Sequence, residues 1–154
     1  MWQRIQTLYL AVVAVLSSLQ MFLPLVGFTD LSTSNIYAFK ACHLVDMQSG
    51  EIVQNAYFLP LMPLIIALLA LLTIFMYKRR VLQMRLCVIN IVLAALSYAY
   101  LFLHIYFATK GIEECSLFFN IPCSFQLINV ILLVLAFRGV AHDEALVRAA
   151  DRMR

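Results

Sequence analysis

The segment Tyr77-Lys78-Arg79-Arg80 constrains the fold more than any other part of the sequence. It separates two apolar runs, residues 57–77 and 84–107, each long enough to cross the ~30 Å hydrocarbon core of a bilayer as a helix. A basic turn this short between two such runs predicts a transmembrane helical hairpin. Lys and Arg in short loops mark the cytoplasmic side of a membrane, so the turn also predicts the orientation of the other spans.

The composition indicates an integral membrane protein. Of 154 residues, 64% are hydrophobic and 12% are charged, and the mean hydropathy is +0.93. Soluble domains average roughly 45–50% apolar and ~25% charged residues. We therefore expect an all-α membrane protein with a single domain, an antiparallel four-helix transmembrane bundle. Its predicted spans are about 5–28, 57–77, 84–107 and 118–138, its outer loops 29–56 and 108–117, its cytoplasmic turn 78–83 and its cytoplasmic tail 139–154.

Charge is distributed unevenly between the two predicted sides. The side of the basic turn carries nine basic and three acidic residues, whereas the opposite side carries two basic and five acidic residues. This bias predicts that both ends of the chain are cytoplasmic. It argues against nucleic-acid binding, because anionic lipid headgroups are the nearest partners of these basic residues. The predicted cytoplasmic basic face comprises Arg4, Lys78, Arg79, Arg80, Arg85, Arg138, Arg148 and Arg152.

The first span and the loop after it carry two further signals. The first apolar run is about 24 residues long, against roughly 7–15 for a signal-peptide core, so we expect an uncleaved span. In the outer loop, apolar segments flank Asp46-Met47-Gln48-Ser49-Gly50, which predicts a small β-hairpin around a Gly-containing turn. Two strands alone are marginally stable, so this hairpin should rest on the helices or on another loop.

The tail Asp143–Arg154 is predicted to be a separate amphipathic helix. Its acidic residues come first and its arginines late, which suits the helix dipole, and Glu144 precedes Arg148 by four residues. Gly139 permits a break before this helix. We expect the tail to lie on the cytoplasmic headgroups or against a partner.

Polar residues recur every seven positions in the third span, which places them on one stripe of a helix. Such a stripe should face neighbouring helices and not lipid. Gln126 and Asn129, three residues apart, give the fourth span a matching face. By depth, His104 and Gln126 belong to the outer third with Gln20, whereas Ser97, Asn129 and Ser17 lie near the middle. The predicted polar seam comprises Gln83, Asn90, Ser97, His104, Gln126 and Asn129.

Three cysteines, Cys42, Cys115 and Cys123, map to the outer side and are candidates for a disulfide in an oxidising compartment. A structural bridge is the simpler interpretation, and thiol–disulfide exchange is the alternative. The chain has no Cys-x-x-Cys arrangement, which commonly lowers the pKa of a redox thiol. Cys87, at the inner end of the third span, is expected to pack in the helical core.

Other chemistry has weaker support. His104 is a candidate proton relay or haem or metal ligand, but no acidic residue lies in the spans to work with it, so an interhelical hydrogen bond is favoured. The aromatic residues near the end of the third span are candidates for a quinone or lipid cleft, although an interfacial aromatic belt and packing in the bundle are the more common uses of such residues. They are Tyr98, Tyr100, Phe102, Tyr106 and Phe107. We find no motif that nominates catalytic, cofactor-binding or metal-binding residues, and we expect no cofactor.

The two ends of the chain show a family resemblance. The opening Met1-Trp2-Gln3-Arg4-Ile5-Gln6-Thr7 and the closing Asp143-Glu144-Ala145-Leu146-Val147-Arg148-Ala149-Ala150-Asp151-Arg152 resemble a family of uncharacterised four-span membrane proteins from Bacteroidota. His142 and Ala149 stand where members often carry Lys and Ser. The resemblance implies an inner-membrane protein whose acidic outer loops face the periplasm, and it implies no activity.

From these patterns we expect a non-enzymatic accessory or scaffold protein of the bacterial inner membrane. It would be a small subunit of a membrane complex that docks a protein partner, or anionic lipid, through its cytoplasmic face. On this hypothesis Trp2, Gln3 and Arg4 meet the 148–152 part of the tail to form a cytoplasmic platform; in the simpler alternative the tail only caps the bundle. Two other functions stay open, a membrane thiol–disulfide oxidoreductase that uses the outer-loop cysteines and a lipid or quinone binder.

Overall fold

The computed structural model of the protein describes residues 2–31, 35–40, 43–55, 58–76, 79–110 and 115–152, without the side chains of residues 2–4, 40, 54–55 and 151–152. Within these ranges, four helices are long and apolar enough to cross a membrane. The elements in chain order are α1 (Trp2–Phe22), β1 (Val26–Asp30), β2 (Ile36–Lys40), β3 (His43–Asp46), β4 (Ile52–Asn55), α2 (Phe58–Phe75), α3 (Arg80–Thr109), β5 (Cys115–Phe119) and α4 (Ile121–Arg152).

Each helix packs against two others: α1 and α3 both contact α2 and α4. The residues between the helices are mostly aliphatic or small. Ala70, Ala94 and Ala136 are fully buried there, and small side chains of this kind allow helices to approach closely. The outward faces carry exposed leucine, valine and isoleucine, such as Leu68 and Val92. Apolar residues inside and outside are what a helical assembly surrounded by lipid requires.

The first helix ends earlier than the sequence predicts. It stops at Phe22, whereas the predicted span ran to residue 28. Pro24 explains the difference, because proline lacks an N–H and disfavours helical geometry in the residue before it. The apolar residues that follow, Val26 and Phe28, are buried in strand β1 and do not extend the span.

The strands form one antiparallel sheet in the order β4-β3-β2-β1-β5. The predicted hairpin is present as β3 and β4, but it belongs to a larger sheet that supports it. The outermost strand, β5, comes from the connection between α3 and α4 and pairs with β1 along its whole length. Because residues 115–119 are used in this way, α4 begins at Ile121 and not at residue 118 as predicted.

The turn between β3 and β4 is closed by the side chain of Asp46. Its two carboxylate oxygens accept hydrogen bonds from the backbone amide of Gln48 and from the Ser49 hydroxyl, both at 2.9 Å. These bonds, first among them the one from the Gln48 amide, lower the pKa of Asp46. Gly50 has a φ of +72°, in the left-handed region that glycine adopts without strain. Sequence reasoning found this turn because its determinants are local.

The sheet rests on the ends of the helices through an apolar cluster. Phe28, Phe39 and Leu44 from the sheet pack with Leu101 and Ile105 from the last turns of α3. The amide of Asn120 donates to the Leu25 carbonyl at 3.2 Å, which ties the start of α4 to the start of β1. The sheet therefore covers the end of the helices at which α1 and α3 finish and α2 and α4 begin.

Gly27 is the point of closest packing within the sheet. It lies opposite Ala38 of β2 and Phe118 of β5, and the Phe118 ring covers it. A Cβ atom at Gly27 would overlap this ring and would also lie 2.9 Å from the backbone oxygen of Tyr37. The ring can rotate away, but the backbone of β2 cannot move without disturbing the pairing with β1.

We predict that Gly27→Ala destabilises the sheet by roughly 1–3 kcal/mol, the usual cost of overpacking a well-packed site. Thermal unfolding of the purified protein in detergent, followed by circular dichroism, would measure the change. Ser116→Ala, an exposed substitution in β5, is the matched control and should leave the midpoint nearly unchanged. Equal midpoints for the Gly27 variant and the control would contradict this packing argument.

Candidate functional site

The buried polar residues between α3 and α4 centre on Gln126, which is 2% exposed. Its side-chain amide donates to the Ala94 carbonyl at 3.1 Å and to the Ser97 hydroxyl, and the Ser97 hydroxyl donates to the Ala94 carbonyl at 2.7 Å. Two predicted residues of the polar seam, Ser97 and Gln126, are thus brought together. The side-chain amide of Gln126 therefore joins α4 to α3 through a backbone carbonyl and a side-chain hydroxyl.

Two further seam residues connect other pairs of helices. Asn129 of α4 donates from its amide to the Ser17 hydroxyl of α1 at 3.0 Å. Asn90 of α3 donates to the Ile66 carbonyl of α2 at 3.2 Å. Gln83 is buried near the start of α3. The seam residues therefore lie between three different pairs of helices and not along one interface.

Contrary to the sequence prediction, His104 does not lie at the depth of Gln126, and the two residues have different partners. Its ring lies 2.6 Å from the Tyr100 hydroxyl one turn earlier on α3 and packs edge-on against Phe39 of β2. The reason is the length of α3, whose 30 residues span about 45 Å, so its last turns pass the start of α4 and flank the sheet. His104 belongs to an aromatic cluster under the sheet, which includes Phe58 against Tyr100.

A small cavity of about 20 Å³ lies beside Gln126, and its lining includes Gln20, Ser97 and Tyr98. The side-chain oxygens of Gln20 and Gln126 are buried and accept no hydrogen bond from the described residues. A volume of this size can hold one water molecule, which needs ~10–15 Å³ by the same measure. The polar seam therefore has room for a bridging water and is too small for an organic ligand.

A second polar contact joins the two end segments of the chain, and sequence reasoning missed it. Gln6 of α1 is buried, and its amide donates to the Asp143 carboxylate of α4 at 2.8 Å. Gly139, one turn before Asp143, lies under this side chain, and a Cβ there would be 2.9 Å from Cγ of Gln6. We call Gln6, Gly139 and Asp143 the terminal junction. The isolated glycine in a helical pattern was the signal for such a close approach.

The expected break in the fourth helix does not occur. Helix α4 runs without interruption through Gly139 to Arg152, because the glycine there admits Gln6 and does not end the helix. Val140 is buried, but residues 145–150 are all exposed. The predicted pairing of Glu144 with Arg148 is confirmed at 3.0 Å. The tail is thus the free end of a long helix that includes exposed Leu146 and Val147.

The predicted basic face is distributed around this end of the helices. Arg79, Arg85, Arg138 and Arg148 are exposed, and Arg80 is half-buried. Lys78 and the side chains of Arg4 and Arg152 lie outside the described residues, as do the side chains of Trp2 and Gln3. Among the residues that are described, the one ion pair is Glu144–Arg148, so the other four arginines have no carboxylate partner there.

The cysteines are placed at different levels of the structure. Cys115 begins β5 and is half-buried, whereas Cys123 lies buried in the first turn of α4, next to the Tyr98 hydroxyl that donates to its carbonyl at 2.7 Å. Cys115 lies roughly 13 Å along β5 from Phe119, the last residue of the strand, and Cys123 follows only in α4. Both are free thiols, as is buried Cys87, while Cys42 lies outside the described residues.

We predict that Gln126→Leu destabilises the packing of α3 against α4 by about 1 kcal/mol, since it removes two interhelical hydrogen bonds worth ~0.6 kcal/mol each in membrane proteins. Unfolding in mixed micelles of sodium dodecyl sulfate would measure the change. Leu127→Ala, a change at an exposed position on the same helix, is the control and should have a smaller effect. A Gln126→Leu protein as stable as the parent would show that these bonds contribute nothing.

Comparison with known proteins places the chain in a family without assigning an activity. No curated protein and no solved structure shows significant similarity to it. The family model that matches carries the description Domain of unknown function (DUF4293), and the match runs over residues 2–153, nearly the whole chain. The matched range includes Gln6, Gly139 and Asp143 of the terminal junction. With a match of this extent, the protein belongs to the DUF4293 family.

Proposed function

We propose that the protein is a non-enzymatic accessory or scaffold subunit of the bacterial inner membrane that docks a protein partner through its cytoplasmic face. In this proposal the four helices form an antiparallel transmembrane bundle. The basic end, with the terminal junction, faces the cytoplasm, and the sheet faces the periplasm. The bias of basic residues toward one side supports this orientation.

Helix lengths support the proposed position in the membrane. The 18 residues of α2 span about 27 Å, close to the ~30 Å of hydrocarbon. The 32 residues of α4 span about 48 Å, so this helix is longer than the membrane is thick. Since α4 starts at the sheet, its surplus length projects at the opposite, basic end.

The terminal junction is the observation on which the docking function depends. A partly buried amide–carboxylate bond between Gln6 and Asp143 fixes the base of the projecting helix to α1. Beyond the terminal junction, residues 145–150 are exposed, and they include the apolar side chains of Leu146 and Val147. A rigid base that carries an unpartnered amphipathic helix is the arrangement of a helix-in-groove ligand. A tail that only capped the bundle would bury this apolar surface.

The arrangement gives less support to the thiol–disulfide alternative. Exchange chemistry needs an accessible thiol whose pKa is lowered by a cation, a helix N-terminus or a second cysteine. Cys123 lies in the first turn of α4 but is buried, and the intervening strand separates it from Cys115. We therefore favour docking over redox turnover.

The proposed topology predicts opposite labelling of two exposed positions. In a cysteine-free background, Met47→Cys in the sheet turn should react with a membrane-impermeant maleimide in cells whose outer membrane alone is permeabilised. Ala145→Cys on the projecting part of α4 should react only after the inner membrane is opened. Both side chains are exposed in the parent protein, so burial does not explain a difference between them. The reverse pattern would overturn the orientation.

The docking function predicts that the tail determines the size of the complex formed in the native membrane. Leu146→Asp should reduce the mass seen by native electrophoresis after mild-detergent extraction to that of the free protein, because the charge disrupts an apolar contact. Met47→Asp, equally exposed at the sheet end, is the matched control and should keep the parental mass. An unchanged complex in the Leu146→Asp strain would contradict docking through this helix.

A further inference from the structure

A large apolar groove lies on the outside of the protein between α3 and α4, at the same end as the basic face. It has a volume of about 550 Å³ and is lined by Val81, Met84, Arg85, Val88, Ile89 and Phe137. Its volume falls in the range of ligand pockets, about 300–1,000 Å³. The groove is separate from the terminal junction and from the projecting tail, whose residues do not line it.

One charged side chain among five apolar ones defines the chemistry of the groove. Arg85 lies five residues into α3, which is about 7.5 Å along the helix from Arg80. A guanidinium so near the helix start stays at the headgroup level of a membrane, while the apolar residues that follow, Val88 and Ile89, lie at the depth of acyl chains. We propose that the groove binds an anionic phospholipid, with one acyl chain against Val88, Ile89 and Phe137 and the phosphate on Arg85.

Charge complementarity selects this occupant. Arg79, Arg80 and Arg138 belong to the same end of the helices as Arg85, and none of the four has a carboxylate partner among the described residues. A guanidinium binds phosphate oxygens in a bidentate fork, and uncompensated arginines nearby favour a headgroup with net negative charge over a zwitterionic one. Basic pockets between transmembrane helices on the cytoplasmic side recognise anionic headgroups in this way.

A second copy of the chain is a poorer occupant. It would have to present an anion to Arg85, and the described carboxylates at this end, Asp143 and Glu144, are already bonded to Gln6 and Arg148. An apolar helix alone would cover the guanidinium without neutralising it. Burial of an unpaired charge opposes association, whereas a phospholipid supplies both the apolar chain and the phosphate.

The lipid site can be tested by native mass spectrometry of the full chain in detergent, with phosphatidylglycerol and phosphatidylcholine of identical acyl chains as probes. The first phosphatidylglycerol should bind about tenfold more tightly than phosphatidylcholine, and Arg85→Gln, which removes the phosphate contact but keeps Arg79, Arg80 and Arg138, should weaken the binding of both lipids and reduce this preference. Lys110→Gln, which removes an exposed cation at the opposite end of α3, should keep it. Excess inorganic phosphate should not displace the lipid, because it cannot occupy the apolar part of the groove.

Filling the groove tests the acyl-chain contact separately. Val88→Trp should abolish the first binding event for both lipids, whereas Val92→Trp, at another exposed position of α3 outside the groove, should not. Equal affinity for the two lipids, or Arg85→Gln and Lys110→Gln proteins that bind alike, would overturn the proposal. A dimer that dissociates when Val88 is replaced by Trp, but not when phosphatidylglycerol is added, would also overturn the proposal. The site rests on the proposed membrane position, and the cysteine labelling described above tests that position independently of lipid selectivity.

Discussion

The constraint on which this structure depends is the apolar surface of four helices that are long enough to cross a membrane. Each helix satisfies its own backbone with internal hydrogen bonds, so polar side chains are left as the specific contacts between helices. Asn90, Gln126 and Asn129 each donate from a side-chain amide to a neighbouring helix. Apolar packing alone would tolerate sliding of one helix along another, since lipid is as apolar as leucine. The register is fixed where the acceptor is a side chain, because a shift of one turn would move the Ser97 hydroxyl away from Gln126 and the Ser17 hydroxyl away from Asn129.

Two side-chain hydrogen bonds fix the register of α1 against α4, and a backbone bond between the adjoining segments adds a third contact at the sheet end. At the sheet end, the Asn120 amide bonds to the Leu25 carbonyl. In the middle, Asn129 bonds to Ser17, and at the basic end Gln6 bonds to Asp143. The bond at the sheet end adjoins strands β1 and β5, and the bond at the basic end adjoins the projecting tail. The positions of the sheet and of the projecting tail therefore follow from one helix pair.

The sequence predicted those features whose determinants are close together in the chain. Apolar run length identified the four helices, the residues from Asp46 to Gly50 identified the hairpin turn, and seven-residue spacing indicated that Asn90 should be buried. It could not predict the pairing of Gly27 with Phe118, because no local pattern connects segments so far apart. The β1–β5 pairing also moved the start of α4 to Ile121. Gly139 was assigned to a helix break because its real partner, Gln6, lies at the other end of the sequence.

The two ends of the helices differ in how completely their bonding groups are used. At the sheet end, strand pairing and the Asp46 turn use backbone and carboxylate groups, and the cluster around Phe39 buries part of the apolar surface, although Ile52, Val53 and Phe119 stay exposed. At the basic end, four arginines without a carboxylate, an apolar groove and an exposed helix remain. A folded chain gains no stability from such unused groups, and repulsion among like charges opposes their clustering. We therefore propose that this end binds lipid at the groove and a protein at the tail, as neighbouring but separable contacts.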